Sequence, residues 1–324
     1  MSAVPVRGLT SPGLTCRVSN RFAVVGLGHF AQAAVLPAFA RAPSTELVAL
    51  FSNDEDKREQ LGEHYDVPHR LAYADYDAFL SERLVDAVYI ALPNALHADY
   101  AIRAARRSVH VLCEKPLAMT EEECLSMIDA ARIACVKLMT AYRLHFETAN
   151  MAAIDMVQRG EIGEPRMFSS VFTMQVKEGN TRLSSGLGGG PLADLGVYCI
   201  NAARYIFQDE PVEVSAFSAR SEDDPRFVEV DEQLSGMLLF PRGRIASFGV
   251  SFGAADVSRY QVVGTKGSLT LDPAYEYATD LVMHTNIQGR SKQHTYKKCD
   301  QIASELVYFV HCILEDHEPE PSGI

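Results

Sequence analysis

The feature that most constrains the fold is a glycine-rich turn near the start of the chain. Residues 24–31 read Val-Val-Gly-Leu-Gly-His-Phe-Ala and give the pattern G-x-G-x-x-A directly after an apolar run. Gly26 permits a tight turn, Gly28 lets the backbone approach a pyrophosphate, and the small Ala31 lets a helix pack closely on the preceding strand. Glycines in such a turn can also be merely structural, so the motif needs a strand before it and a helix after it.

The surrounding sequence supplies that context. Apolar runs predict buried strands at residues 22–26, 46–51, 85–92, 108–113 and 137–141, and helical spacing lies between them, as at 97–107 and 121–135. Strands alternating with helices over more than 100 residues are typical of an α/β fold with a Rossmann doubly wound parallel sheet. We therefore expect a dinucleotide-binding domain over residues 21–143, preceded by a flexible N-terminal arm at 1–20.

The pattern changes after Gly160. One helical segment at 191–207 is followed by strand-like runs at 212–219, 229–240, 244–252 and 259–271, separated by turns rich in Pro and Gly. Runs of strands indicate an α+β domain with a large, mostly antiparallel, open-faced sheet, which we assign to residues 144–324. An open sheet face commonly packs on a copy of itself, so we expect a homodimer or homotetramer through this sheet.

Charge and hydropathy narrow the partners and the compartment. The net charge of −12 repels polyanions, which disfavours nucleic acid and anionic membrane and favours a small-molecule ligand. No stretch approaches the roughly 18 apolar residues of a membrane span, and the first 20 residues lack an apolar export segment, so we expect a cytoplasmic protein. The seven cysteines are odd in number and form no C-x-x-C, which favours free thiols and no metal site.

The residue that ends the second strand bears on cofactor choice. An acid there would hold the ribose 2′-hydroxyl of NAD, but Ser52 occupies the place and admits the 2′-phosphate of NADP. Lys57 or Arg58, at the start of the next helix, can supply the opposing positive charge. The three acids at 54–56 would repel that phosphate, and Lys57 can equally be a solvated surface charge. We predict NADP and leave NAD open.

Two segments carry candidate chemical residues. Glu114-Lys115-Pro116 follows a strand, so Lys115 is expected at the carboxyl edge of the sheet, where open α/β folds bind ligands, and Pro116 permits a cis peptide bond. In the second domain, Asp194 and Tyr198 are four residues apart and share a helical face. The structural alternatives are a surface lysine before a turn proline, an acid near a helix N-terminus and a core aromatic.

Taken together, five segments resemble the glucose-fructose oxidoreductase/inositol dehydrogenase/MocA (Gfo/Idh/MocA) family. They are GLGHFA at 26–31, VDAVYIALPNALH at 85–97, EKP at 114–116, YRLH at 142–145 and GGGPLADLGVY at 188–198. Within the family the likeness is nearest to glucose-fructose oxidoreductase and to NADP-dependent xylose and dihydrodiol dehydrogenases, which carry Tyr where inositol dehydrogenases carry His. The resemblance runs in order from about residue 21 to residue 321.

The resemblance implies oxidation of an aldose by hydride transfer from C1 to nicotinamide, giving a lactone, with Lys115, Asp194 and Tyr198 as the catalytic set. Tyr198 would take the hydroxyl proton, Lys115 would position the substrate and lower the tyrosine pKa, and Asp194 would hold a sugar hydroxyl. Bringing a tyrosine pKa from about 10 to about 7 needs roughly 4 kcal/mol of preferential phenolate stabilisation, which a nearby desolvated ammonium can supply.

The motifs and the resemblance together also give the binding residues. Predicted cofactor contacts are Gly26, Leu27, Gly28, His29, Phe30, Ser52, Lys57, Leu92, Pro93, Asn94, His97, Glu114, Lys115 and Arg143. Predicted substrate contacts are Lys115, Tyr142, Arg182, Asp194, Tyr198 and Tyr277.

Two departures from the family pattern keep alternatives open. The first departure is that no export signal accompanies the arm. The second is that family members usually continue past the Pro-Glu-Pro-Ser-Gly element at 319–323, so we expect some uncovered apolar surface if the end is native. A trans-dihydrodiol dehydrogenase and a non-catalytic NAD(P)-binding regulator of the same fold therefore stay as alternatives.

Overall fold

The computed structural model describes residues 20–323 and contains two sheets. The first is a six-stranded parallel sheet of order β3-β2-β1-β4-β5-β6. Its strands are β1 (Asn20–Val25), β2 (Thr45–Phe51), β3 (His69–Leu71), β4 (Ala87–Ile90), β5 (His110–Glu114) and β6 (Leu138–Ala141). Its helices are α1 (Leu36–Phe39), α2 (Glu55–His64), α3 (Tyr76–Ser81), α4 (His97–Arg106) and α5 (Glu121–Ala134), with a π-helical turn (Ala31–Val35) before α1.

The strand order reverses between β1 and β4, and this reversal opens a crevice beyond the carboxyl ends of the strands. Local capping sets the helices that border the crevice, because Asp54 accepts from the Lys57 N–H at the start of α2 and Thr120 accepts from the Glu123 N–H at the start of α5. The predicted Rossmann class is confirmed by this sheet.

The second sheet has eight strands in the order β14-β13-β12-β11-β7-β10-β9-β8, and all neighbours are antiparallel except the β7 and β10 pair. Its strands are β7 (Pro165–Thr173), β8 (Glu213–Ala219), β9 (Gln233–Phe240), β10 (Arg244–Ser251), β11 (Val257–Gly264), β12 (Gly267–Leu271), β13 (Leu281–Ile287) and β14 (Arg290–Tyr296). Helices α6 (Thr148–Gln158) and α7 (Val197–Phe207) belong to this part of the chain, and a π-helical turn (Leu192–Gly196) precedes α7. The predicted α+β class with a mostly antiparallel sheet is confirmed.

The inner face of the second sheet is a core of aromatic side chains. Phe168, Phe172, Phe248 and Tyr260 are buried there and pack with Cys199 and Ile206 of α7. No helix covers the opposite face within the described residues, where Phe217 and Met237 are 83% and 56% exposed.

The last helix, α8 (Gln301–Leu314), packs on the first sheet although the sequence analysis places it in the second domain. Its Leu306 and Phe309 are fully buried in one core with Phe22 of β1 and Leu36 of α1. The proposed domain limits stay a prediction, and the predicted arm falls almost wholly on residues outside the described range.

Within residues 20–323, no helix has the length and apolar content needed to cross a bilayer, and the six cysteines in this range are free.

Some elements differ from the sequence expectation. The predicted run at 259–271 is two strands, β11 and β12, because the chain turns at residues 265–266. Strands β3, β7, β13 and β14 were not anticipated. β3 has only three residues and β14 reads Arg-Ser-Lys-Gln-His-Thr-Tyr, so neither carries an apolar pattern; their strand form depends on pairing with a neighbour.

Candidate active site

The glycine-rich turn lies where the first sheet changes direction. Gly26 has φ +101°, and a Cβ there would lie 2.5 Å from the Ala91 carbonyl oxygen, so only glycine fits. A Cβ on Gly28 would meet no atom within 4 Å, which leaves open space beside the exposed backbone of Gly28 and His29. Helix-terminal N–H groups facing such a space are suited to a phosphate. Leu27 is buried, and Phe30 packs on Tyr277 with ring centroids 5.9 Å apart.

The end of β2 presents the predicted 2′-phosphate residues. Ser52 is buried and its Oγ accepts from the Asp54 N–H, 3.1 Å away. Lys57 Nζ lies 2.9 Å from Asp54 Oδ2, so its charge is already paired on the surface. Arg58 is 13% exposed, donates from Nη1 to the Ser52 carbonyl at 2.7 Å, and keeps an Nε without a hydrogen-bond partner. Of the two cations that the sequence offers, Arg58 is therefore held closer to Ser52.

Lys115 and Asp194 meet in the cleft between the two sheets. Lys115 directly follows β5 and precedes a cis Lys115–Pro116 bond, which the sequence permits, and Asp194 lies in the π-helical turn before α7. Lys115 Nζ donates to Asp194 Oδ1 at 2.8 Å and to the Asp194 carbonyl at 2.9 Å. Arg182 Nε donates to the other carboxylate oxygen, Oδ2, at 2.5 Å. One carboxylate thus links two cations from separate loops.

Charge pairing outweighs burial at this carboxylate. Burial alone would raise the pKa of Asp194, but Lys115 and Arg182 hold it far below its usual value. Burial opposes the charge of Lys115 as well, yet Asp194 and Tyr198 raise the pKa of this lysine. Both groups therefore stay ionised at neutral pH, and the ammonium can donate but cannot act as a base.

Tyr198 lies beside this pair. Its ring is 6% exposed and has Lys115 Nζ 4.8 Å from its centroid. The Tyr142 hydroxyl donates to the Tyr198 backbone carbonyl at 3.0 Å, and this bond holds the first turn of α7 in place. The predicted catalytic three, Lys115, Asp194 and Tyr198, therefore occupy one cleft. Tyr142 is itself buried, so its hydroxyl is directed at the helix.

Arg143 lies against the rings of both Tyr198 and Tyr277. Arg143 is 6% exposed, with its Cζ 5.1 Å from the Tyr198 ring centroid and 5.2 Å from that of Tyr277. It donates to Gln301 Oε1 at 2.8 Å and to the Tyr275 carbonyl at 2.5 Å. Its guanidinium is thus aimed at Tyr198 and tethered from α8.

The remaining predicted residues border the crevice at the ends of β4 and β5. Asn94 Nδ2 donates to the Gly188 carbonyl at 2.7 Å and joins the two parts of the chain. His97 is fully buried with its ring nitrogens 2.9 Å from the Pro116 and Leu92 carbonyls. Burial lowers the pKa of His97, whereas hydrogen bonds to the two carbonyl oxygens raise it. Both ring nitrogens face carbonyl groups of these loops, so neither is free for a ligand. Pro93 lies between Leu92 and Asn94 in the chain.

Glu114, a predicted cofactor contact, lies near a second acid, Glu305, which sequence reasoning missed. Glu114 Oε1 accepts from the Tyr89 hydroxyl at 2.6 Å, and burial raises the pKa of Glu114. Glu305 of α8 is fully buried nearby with neither carboxyl oxygen hydrogen-bonded. Gln301 and Glu305 lie about 190 positions after Lys115 on a helix with no motif, so no local signal could have found them.

Comparison with family models supports the two-part organisation. A model described as "Oxidoreductase family, NAD-binding Rossmann fold" matches residues 20–142. A second, described as "GFO/IDH/MocA C-terminal domain", matches residues 151–270.

Individual relatives cover nearly the whole chain. The D-xylose 1-dehydrogenase [NADP(+)] of Haloarcula marismortui is 32% identical over 311 residues, which cover 94% of this chain and 86% of the relative. The crystal structure of aldose-aldose oxidoreductase from Caulobacter crescentus, complexed with glycerol, has 36% identity and a TM-score of 0.90, covering 94% of this chain and 92% of that one. A 3-ketoreductase from Actinomadura kijaniata, in complex with NADP and TDP-benzene, has 29% identity and a TM-score of 0.85, with the same coverage.

Proposed function

Because the chain belongs to the Gfo/Idh/MocA family of oxidoreductases, we propose that it is an NADP-dependent sugar dehydrogenase that oxidises an aldose or related sugar at C1 and gives a lactone. The observation that carries the proposal is the convergence of Lys115, Asp194 and Tyr198, with Lys115 Nζ 2.8 Å from Asp194 Oδ1 and 4.8 Å from the Tyr198 ring. The xylose dehydrogenase and the aldose-aldose oxidoreductase support the sugar class.

The turn and its neighbours fit a dinucleotide. Residues 26–30 would hold the pyrophosphate, since the space beside Gly28 is open and the helix N-terminus faces it. Ser52 would admit the 2′-phosphate because it stands where an acid would repel that group. Arg58 and Lys57 would supply positive charge. Leu92, Pro93 and Asn94 would line the crevice above the nicotinamide. When bound, the nicotinamide accepts the hydride that leaves the sugar carbon.

The side chains in the cleft would divide the remaining work. Tyr198 would accept the proton of the C1 hydroxyl, because its phenol lies beside a permanently charged ammonium. Lys115 would donate to the reacting oxygen and favour the phenolate. Asp194 would accept a hydrogen bond from a second sugar hydroxyl, since its low pKa keeps it an acceptor. Arg182, 43% exposed, would border the sugar on the solvent side, with Tyr277 opposite.

A substrate panel tests the proposal. Purified protein with NADP should produce NADPH absorbance with one or more of glucose, xylose, galactose and arabinose, and Tyr198→Phe should abolish the signal while NADP binding persists. Tight NADP binding without a signal from any sugar or dihydrodiol would reject the dehydrogenase and favour a cofactor-binding regulator. A signal from a dihydrodiol alone would reassign the substrate.

A second candidate is transfer between two sugars. It is favoured by the 36% identity to a protein named aldose-aldose oxidoreductase. One aldose would lose two hydrogens to become a lactone, and another would gain them to become an alditol, so the cofactor would undergo no net change. Equal amounts of lactone and alditol formed without added NADP would identify this reaction, whereas NADPH released in proportion to lactone would exclude it.

The outer face of the second sheet supports a homo-oligomer. Ile245 pairs in register with Met167 on one side and Leu239 on the other, and Met237 and Phe217 continue the same face. Ser215, Ser235 and Ser247 lie between these apolar side chains, which would lose contact with water when a second copy covers the face.

We also propose that the protein is cytoplasmic. Free thiols such as Cys113 are consistent with a reducing compartment.

Light scattering after gel filtration tests the oligomer. Wild type should have the mass of two or four chains, and the double variant Phe217→Asp with Met237→Asp should be monomeric. Ile133→Asp is the matched control, because Ile133 is 75% exposed on α5, away from the sheet. A monomeric wild type, or an oligomer that survives the double substitution, would contradict the assignment.

A further inference from the structure

Two arginines are buried in the described part of the chain, and only one of them has a counter-ion. Arg244 is 3% exposed and its Nη2 lies 2.5 Å from Asp209 Oδ2. Arg143 is 6% exposed, but its hydrogen-bond partners are neutral, namely the Gln301 amide oxygen and the Tyr275 carbonyl. No carboxylate among residues 20–323 lies within ion-pair distance of Arg143. Burial of an unbalanced cation is costly, so its retention calls for a compensating anion.

The Tyr198 ring is where such an anion can form. Arg143 Cζ lies 5.1 Å from its centroid, and Lys115 Nζ lies 4.8 Å from the same centroid. The charge of Lys115 is balanced by Asp194, which also pairs with Arg182. Among the described cations that surround Tyr198, Arg143 is therefore the one with no carboxylate within ion-pair distance.

The acids near Arg143 do not remove this imbalance. Burial raises the pKa of Glu114 at the end of β5 and of Glu305 on α8, and neither carboxyl group lies within ion-pair distance of Arg143. Glu276 acts on Arg143 through its charge but also lies beyond ion-pair distance. Burial raises the pKa of the Tyr89 and Tyr142 phenols well above the usual value, so both are uncharged at neutral pH. Burial also opposes the charge of Arg143, yet Tyr198 raises the pKa of Arg143, with smaller contributions from the charges of Glu114 and Glu276.

We propose that Arg143 is a positioning residue for catalysis, held by Gln301 and the Tyr275 carbonyl so that the phenolate of Tyr198 becomes its counter-ion. In the reaction, the proton of the sugar hydroxyl passes to the Tyr198 oxygen, the C1–H electron pair leaves as hydride to the nicotinamide, and the C1–O bond becomes a double bond. This inference rests on the proposed function, in which Tyr198 is the proton acceptor. It replaces the predicted cofactor contact of Arg143 with a role exerted through the tyrosine.

The test follows the ionisation of Tyr198 in Arg143→Met. An opposite charge within about 4–6 Å shifts a titration by about 1–3 pH units, so the pH of half-maximal turnover should rise by at least about one unit and turnover at pH 7 should fall about tenfold or more. Phenolate absorbance, taken as the difference between each protein and its Tyr198→Phe version, should shift equally. The NADP dissociation constant should change less than about twofold. Arg159→Met, on the surface of the chain, is the matched control.

Two further variants keep the test decisive if Arg143→Met folds poorly. Arg143→Lys keeps a cation and should restore the pH midpoint, whereas Gln301→Met releases the tether and should shift it part of the way. An unchanged midpoint in Arg143→Met or Gln301→Met, or a large loss of NADP affinity with the midpoint unchanged, would overturn the inference. The absorbance titration needs no turnover, so it decides the role of Arg143 even if the wild type oxidises no sugar and the proposed function fails.

Discussion

Two lysine–aspartate ion pairs with nearly the same geometry lie at opposite ends of the predicted cofactor crevice. Lys115 and Asp194 are 2.8 Å apart with side chains 11% and 18% exposed, while Lys57 and Asp54 are 2.9 Å apart with side chains 39% and 48% exposed. Water screens the second pair and is largely excluded from the first. The same two residue types therefore have different consequences: the buried pair fixes charge beside a reacting oxygen, and the surface pair leaves its lysine free to exchange partners.

The difference in burial between the two pairs also determines whether a substitution affects folding or cofactor binding. An exposed ion pair contributes little to folding, because desolvation is small and side-chain entropy opposes it. A buried pair contributes little net energy as well, but removal of one partner strands a charge. We expect substitutions at the buried end to affect folding and chemistry, and substitutions at the exposed end to affect cofactor choice alone.

The largest expected effect on folding is that of Asp194→Asn, which leaves Lys115 and Arg182 without their shared carboxylate. The free energy of unfolding should fall by about 3 kcal/mol. Denaturant unfolding of this variant and of Asp54→Asn measures the contrast; the latter should match wild type, because asparagine also caps a helix. Equal losses in both variants would show that burial does not distinguish the two pairs.

The pH dependence sharpens the same contrast. Because the folded-state pKa of Asp194 is lowered, its contribution to stability is present above its unfolded-state pKa of about 3.9 and is lost as pH falls below that value. Wild-type stability should therefore drop more steeply below about pH 4 than that of Asp194→Asn. Parallel acid-unfolding curves for the two proteins would contradict the pairing.

An intermediate effect is expected from Ser52→Asp, at the end of β2 beside the exposed pair. A carboxylate would repel the 2′-phosphate and accept from a ribose hydroxyl, so the ratio of kcat/KM for NADP to that for NAD should fall roughly ten- to hundredfold. Ser52→Ala is the matched control for loss of the hydroxyl alone. A ratio unchanged by the aspartate would mean that the phosphate does not lie at Ser52.

The smallest effect is expected from Lys57→Met. Its ammonium is exposed and already paired, so KM for NADP should rise by no more than about fivefold, and the rise should vanish at high salt. Arg58→Met should raise KM for NADP more, since Arg58 is better buried and bonded to the Ser52 carbonyl. The opposite order would return the phosphate contact to the surface lysine.

Local patterns account for the elements that could be predicted from sequence. The turn at 26–31 and strands β1, β2, β4, β5 and β6 follow from glycine placement and apolar runs, and α5 follows from the helical spacing at 121–135. The rule that parallel strands present ligand-binding loops at one edge predicts the place of Lys115. Its convergence with Tyr198 is implied by the family resemblance.

The features missed by sequence analysis depend on contacts between distant segments. α8 returns to the first sheet, and its Gln301 bonds Arg143 from 158 positions away. The pairing of β7 with β10 is set by the sheet and not by either strand alone. His97 looked like a crevice residue, yet its ring is fully buried by two loops that come together only in the fold.

The central claim is that Lys115 acts on the same sugar oxygen as Tyr198. Single-turnover NADPH formation by Lys115→Met, with the NADP dissociation constant determined in parallel and the exposed Lys297→Met as control, tests it most directly. We predict a rate at least about 10²-fold below wild type with NADP affinity unchanged. A near-wild-type rate, or a loss of NADP affinity as large as the loss of rate, would contradict the account.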